Sequence, residues 1–410
     1  MVTFSWKLIK IIEYSPGYDF ASFYTATRLI QSGNYEEIYS VDKENFNEVA
    51  SPIFQDVAKR EGFAYIPTPF FYPPIYVLPF LSLTSFQFEI ARRICVVISL
   101  LFVLFALPLL YQMVKSSIEP FLKVSLILTG TFLSYPLYYS LHLGQSTPMI
   151  FFFLCLIYYL TSRNSDKSSG IFLGIITFMK ISPFLLIIYF LARKRMKIVF
   201  SSILTILVLG TISLLIYGIP LHLSYFNTMR EISGFDLVAW NNQSISAFLL
   251  RFLTSEDVLK WHPITLAFPL NLFKYTIIFG LLIIFLQQLK LYPPQFPLEY
   301  SAVITLILLL PPISWDHYFL FLLIPLVLIV DHLLERREQG YRGMIALACS
   351  AYLLTIVEVD FYSFFSTFPQ NWFGKIVVSR ISLGAFILGA LTMVLLRREK
   401  SFMFLLVNLL

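Results

Sequence analysis

Apolar runs close to the ~20 residues that cross a bilayer recur along the whole chain, and no other feature restricts its fold so strongly. They fall at about 74–85, 94–113, 122–139, 146–160, 170–191, 197–217, 270–289, 299–313, 317–333, 342–357 and 375–396. A water-soluble protein of 410 residues could not hide this much apolar side chain: 58% of residues are hydrophobic and 13% charged, against roughly 25% charged in an ordinary globular domain. The runs predict an all-α, polytopic transmembrane helical bundle of about eleven spans, built as one domain over 1–410. Several runs are short for a full crossing, which leaves tilted pairs, broken helices and re-entrant hairpins open.

The net charge of +6 lies in short basic clusters between apolar runs, where orientation signals sit, and is no nucleic-acid footprint. If the spans alternate, Arg92-Arg93, Arg193-Lys194-Arg195 with Lys197, Arg336-Arg337 with Arg342, and Arg397-Arg398 with Lys400 share one face, expected to be cytoplasmic. The opposite face then receives a first outer segment, 1–69, a second, 218–268, the turn at 312–316 and segment 358–374. The residues before Asp19 lack an apolar run long enough for a span or signal peptide, so either the outer segment begins directly or a first helix precedes it. The cysteines, Cys95, Cys155 and Cys349, all lie inside apolar runs and read as packing residues.

Five stretches could carry chemistry. Asp19 sits among aromatic residues in Gly17-Tyr18-Asp19-Phe20, where partial desolvation would make its carboxylate a better proton acceptor. Asp is also a favoured helix N-cap, and the residues alone favour the cap. Lys180 falls near the middle of the 170–191 run, next to Pro183. An ammonium there costs at least ~2.5 kcal/mol and no mid-span carboxylate offers a partner, so an anionic ligand in a wet cavity explains it better. Ser314-Trp315-Asp316-His317-Tyr318 reads equally as an Asp–His phosphate or proton site and as an interfacial turn with Asp316 as a cap. Asn241-Asn242-Gln243-Ser244 precedes a stretch in which Ser244, Ala247 and Arg251 share a helical face, offering a guanidinium to a phosphate or simply to bulk lipid headgroups. His142-Leu143-Gly144-Gln145-Ser146 is a polar turn, either a plain loop or a cavity-lining tip. No Walker loop, dinucleotide fingerprint, HExxH, paired CxxC, GxSxG or DxD-type acidic pair is present, which argues against a nucleotide-activated donor.

Taken in order, these stretches resemble glycosyltransferase family 87. The resemblance rests on Tyr18-Asp19-Phe20 with Phe23-Tyr24, Ala26, Gly33 and Tyr39; Tyr72-Pro73-Pro74 with Pro79; Gly144-Gln145; Gly174 with Lys180 and Pro183; Asn242-Gln243-Ser244 with Arg251; and Ser314-Trp315-Asp316-His317. It implies a GT-C type helical bundle in the cell membrane with an extracytoplasmic active site. The implied reaction moves a sugar, mannose first among candidates, from a polyprenyl-phosphate donor to a lipid or glycan acceptor. By the same analogy Asp19 is the general base of an inverting displacement, and His317, Lys180 and Arg251 hold the departing phosphate. Tyr24, Tyr72, Gln145, Asn242, Gln243, Trp315 and Asp316 would line the substrate cavity. No cofactor is implied, and a divalent-ion requirement stays open. The sequence departs from the family at its start, where a transmembrane helix usually precedes the aspartate. The rival reading is a transporter or lipid flippase using Lys180 as its substrate-binding or coupling charge; against it stand the missing inverted repeat and the large aromatic outer segment.

Overall fold

The computed structural model describes residues 2–291, 293–336, 340–368 and 370–409, with side chains described from 7 to 398 within those ranges. Arg337 and the side chain of Lys400, both named in the basic clusters, lie outside the described residues. The chain is helical from end to end, with isolated bridges but no strand among the described residues.

Helix α1 (Val2–Tyr14) is followed by α2 (Tyr18–Gln31) and, after a loop, α3 (Pro52–Arg60). Residues 67–73 then run extended, as their prolines require. The 74–85 run forms two 3-10 segments, Pro74–Phe80 and Leu83–Ser85, because Pro73, Pro74 and Pro79 remove the amide donors that an α-helix needs. The long helix α4 (Phe88–Met113) leads to α5 (Pro120–Phe132), α6 (Tyr135–Leu143) and α7 (Thr147–Ser162). Next come α8 (Asp166–Met179), α9 (Phe184–Ala192) and α10 (Met196–Ile232), the last kinked at Gly218. The remaining helices are α11 (Ile245–Leu253), α12 (Phe268–Leu291), α13 (Phe296–Leu309), α14 (Leu323–Arg336, entered through a 3-10 turn from Asp316), α15 (Tyr341–Ile356), α16 (Phe361–Thr367), α17 (Trp372–Val378) and α18 (Arg380–Leu409).

Five of these stretches are long and apolar enough to cross a membrane: 88–113, 196–232, 268–291, 316–336 and 380–398. There are seven if the bent pairs α5–α6 (49°) and α15–α16 (90°) each count as one. Four of the eleven expected spans do not form helices of that length. Besides 74–85, the 146–160 and 299–313 runs give helices of 16 and 14 residues, shorter at 1.5 Å per residue than the ~30 Å hydrocarbon core.

The fourth is 170–191, which turns back instead of crossing. Helix α8 ends at Lys180, and α9 starts after Pro183. Arg195, just beyond α9, pairs with Asp166 at the start of α8, so the two helices leave and return at the same end. Glycines hold α8 against α10: a Cβ on Gly174 would stand 2.6 Å from the Ser202 carbonyl oxygen. Lys180 therefore sits at the tip of a hairpin.

The two ends of the bundle differ in charge. Arg193, Lys194, Arg195, Lys197, Arg336, Arg342, Arg397 and Arg398 gather at the end reached by the hairpin's base, where Arg193 pairs with the buried Glu299. Segments 1–69, 218–268, 312–316 and 358–374 meet at the other end: Lys7 pairs with Glu358 at 2.6 Å, the Phe46 amide donates to the Trp261 carbonyl, the Asp316 amide donates to the Asn241 carbonyl, and the Val258 amide donates to Gln370. Arg92 corrects the charge reading. It stands at this second end, fully buried, where its guanidinium donates to the Ile11, Ile12 and Glu13 carbonyls and to Glu89. A cation there closes the C-terminus of α1, whose last carbonyls have no helical partner.

Candidate active site

The segments at this second end enclose a cluster of buried polar groups around Asp19. Asp19 does not cap its helix: the N-cap position belongs to Gly17, and the Asp19 side chain turns away from the α2 backbone. One carboxylate oxygen accepts from the Thr68 hydroxyl at 2.8 Å and the other from the Gln145 amide at 2.7 Å. Tyr72 donates in turn to the Gln145 carbonyl oxygen at 3.1 Å, and its ring stacks on Tyr76 with centroids 4.2 Å apart. Burial raises the Asp19 pKa above the ordinary carboxylate value, while the bonds from Gln145 and Thr68 and the charge of Lys180 act in the opposite sense.

Gly144 makes this arrangement possible. It ends α6 in the left-handed region at φ 72°, and a Cβ there would stand 2.6 Å from Cβ of Phe20. Only glycine lets the α6–α7 turn approach α2 closely enough for Gln145 to reach Asp19.

Lys180 reaches the same cluster from the hairpin tip. Its ammonium lies over the Tyr318 ring, 2.6 Å from the centroid, and Asp19 and His317 are both its electrostatic neighbours. His317 follows, buried, with no hydrogen-bond partner on either ring nitrogen among the described residues. Its Nδ1 lies 3.7 Å from Asp316, too far for a hydrogen bond. Asp316 accepts from the Tyr135 hydroxyl at 3.0 Å and from the His317 amide at 2.8 Å. The fold thus joins Asp19, Tyr72, Gln145, Lys180, Asp316 and His317, which are far apart in the chain.

Five expected site residues stand elsewhere. Arg251 is fully buried with its guanidinium turned onto the carbonyls of Val238, Ala239, Trp240 and Asn242 and the Ser379 hydroxyl. Ser244 caps α11 as its position suggests, but the face it shares with Arg251 points into the protein. Asn242 and Gln243 are clamps of the same kind. Asn242 donates to the Leu237 and Pro312 carbonyls and accepts from the Ser314 amide, so it ties the second outer segment to the 312–316 turn. Gln243 donates to the Trp240 and Val378 carbonyls and accepts from Ser382. Tyr24, five residues beyond Asp19, lies roughly 140° around the helix from it; its hydroxyl donates to the Phe86 carbonyl at 2.8 Å and contacts Glu61. Trp315 pairs through its backbone with Asn242, while its ring packs beside Phe46 and Leu237.

The sequence model of glycosyltransferase family 87 matches residues 70–312, more than half of the chain. The chain belongs to glycosyltransferase family 87. No curated protein and no solved structure matches it. Membership makes the family-87 protein a membrane glycosyltransferase, acting with a sugar donor and an acceptor in or at the bilayer. The matched region includes Tyr72, Gln145 and Lys180, whereas Asp19 precedes it and Asp316 and His317 follow it. Thr68, Tyr76, Tyr135, Tyr139 and Arg380 also belong to the cluster of this family-87 enzyme and were not apparent from its sequence. Tyr135 and Tyr139 lie four apart on α6, a spacing that stacks their rings at 5.5 Å and that an i, i+4 reading could have found. Nothing in the sequence around Arg380 distinguishes it from an ordinary charge flanking an apolar run.

Proposed function

We propose that this enzyme transfers a sugar, mannose first among candidates, from a polyprenyl-phosphate donor to a hydroxyl of a lipid or glycan acceptor, with inversion, at the extracytoplasmic face of the cell membrane. The observation that carries the reading is one buried cluster holding a carboxylate, an unbonded imidazole and an ammonium: Asp19, His317 and Lys180. The carboxylate takes the proton from the acceptor hydroxyl as that oxygen bonds to the anomeric carbon. The bond from that carbon to the phosphate oxygen breaks, and its electron pair leaves with the polyprenyl phosphate. A lipid phosphate departs readily only where positioned donors meet its growing charge, and such donors count for more away from water. His317 and Lys180 supply them. Asp19 suits the role of base because Gln145 and Thr68 fix its orientation while burial raises its proton affinity. The orientation follows from the basic end of the bundle, which the positive-inside rule assigns to the cytoplasm, leaving Asp19 at the outer end.

The test uses purified enzyme in detergent, polyprenyl-phosphate mannose and a lipid extract as acceptor, followed by mass spectrometry. Release of polyprenyl phosphate together with a lipid that gains a hexose is the expected result. Absence of both, with mannosyl and arabinofuranosyl donors alike, contradicts the reading.

A further inference from the structure

A closed ring of side chains lies beside His317. The His317 and Tyr139 rings are 6.1 Å apart, Tyr139 and Trp240 6.1 Å, and Trp240 and Phe361 5.3 Å. The Arg380 guanidinium lies 5.1 Å from the Phe361 ring and 5.8 Å from that of Tyr135, which stacks back on Tyr139. Four separate parts of the chain build this box: α6, the second outer segment, the turn before α14, and the α16–α18 region.

Its polar groups are unfinished. Arg380 is 7% exposed and directs Nε and Nη2 to the Val357 carbonyl, yet its Nη1 is buried with no partner. Trp240 Nε1 is likewise buried and faces the Tyr362 hydroxyl at the edge of the box. Arg380 Nη1 and both ring nitrogens of His317, which border the same box, have no protein partner among the described residues. Buried donors left unpaired are costly in folded proteins, and a bound water, ion or ligand commonly meets them. The charge balance points the same way. Arg380 and Arg251 are both buried, Arg251 bonding the Ser379 hydroxyl next to Arg380 in the chain, and Asp316 is the carboxylate that acts on both. Two guanidiniums against one carboxylate leave a net positive charge in a buried layer, which an incoming anion would offset.

We infer that Arg380 and Trp240, with His317, form the subsite that holds the phosphate ester of the substrate. The inference rests on the polyprenyl-phosphate reading of the reaction and adds residues to it: Phe361 and Arg380 lie beyond the 70–312 region matched to the family. Arg380 takes the part that the sequence pattern assigned to Arg251.

Binding is measured on the purified full-length protein in detergent, with farnesyl phosphate, farnesol and inorganic phosphate as probes. Wild type is expected to bind farnesyl phosphate in preference to farnesol. Arg380→Gln should weaken farnesyl phosphate about 10- to 100-fold, as loss of a charge-assisted bond does, and leave farnesol unchanged. Arg380→Lys should recover part of the loss. Trp240→Phe, which keeps the ring and removes only the N–H, should weaken the phosphate about 2- to 10-fold. A general loss of structure would weaken farnesol equally, and that result overturns the assignment. Wild-type affinity for farnesyl phosphate in both Arg380→Gln and Trp240→Phe also overturns it while leaving the donor reading intact. Failure of wild type to prefer farnesyl phosphate over farnesol overturns the donor reading and the subsite together. Equal binding of inorganic phosphate with the same dependence on Arg380 supports the subsite and makes the phosphate group, not the lipid, its determinant.

Discussion

At the scale of single residues, Asp19 and Arg251 show how the same sequence cues lead in opposite directions. Asp19 looks like an N-cap by type and position, but Gly17 occupies that position and frees the carboxylate to meet Thr68 and Gln145. Arg251 looks like a phosphate ligand, yet backbone carbonyls surround its guanidinium. Neither outcome is written locally, because each depends on segments more than a hundred residues away or on loop carbonyls that no pattern marks. Two predictions follow at this scale. Asp19 is faced by Thr68, Tyr72, Tyr76, Tyr139, Gln145, Lys180 and Tyr318, and the Gln145 bond favours its ionised form. Gln145→Ala removes that bond, so the base holds its proton more tightly. The acid limb of the pH dependence of kcat/KM should then move to higher pH, and a limb that stays in place or moves lower would separate Gln145 from the base. Arg251→Met should strand the carbonyls of Val238, Ala239 and Asn242 at about 1–3 kcal/mol each. Thermal denaturation in detergent should show a marked loss of stability, whereas a fully stable protein that has merely lost donor affinity would restore the phosphate-binding role.

At the scale of elements, periodicity and proline position account for most of what was legible. The long spans 88–113, 196–232 and 268–291 appear where the apolar runs predict them, although Pro108 lies within the first and the second is kinked at Gly218. The 170–191 run has the apolar content of a crossing, and the Asp166–Arg195 pair shows that the chain returns instead. In a cysteine-free background, Lys167→Cys and Lys194→Cys, at the two feet of this hairpin, should label from the same side of sealed vesicles. Labelling from opposite sides would make the segment a true span. The α6–α7 turn depends on Gly144 as firmly. Gly144→Ala would place a methyl 2.6 Å from Phe20 Cβ and force a left-handed φ at a cost of about 1–2 kcal/mol. The expected outcome is an expressed protein with strongly reduced transfer, because Gln145 no longer reaches Asp19.

At the scale of the whole molecule, composition and charge foretold a polytopic bundle, and most basic clusters do share one end. Arg92 breaks the rule because its charge serves α1 and Glu89 instead of a membrane surface. Glu256→Cys, at the Asp19 end, should therefore label from the side opposite Lys167→Cys and Lys194→Cys. The cluster was legible only in part: its residues stood out one by one, but their convergence depends on tertiary contacts among segments that the sequence separates widely. The central claim is that this convergence makes Asp19 the base for sugar transfer. The most direct test compares Asp19→Asn with wild type for turnover of polyprenyl-phosphate mannose and for binding of farnesyl phosphate. The substitution keeps the shape of the side chain and removes its basicity. Turnover is predicted to fall about 10²- to 10⁴-fold with phosphate binding retained, and an Asp19→Asn enzyme that transfers mannose at the wild-type rate would contradict the account.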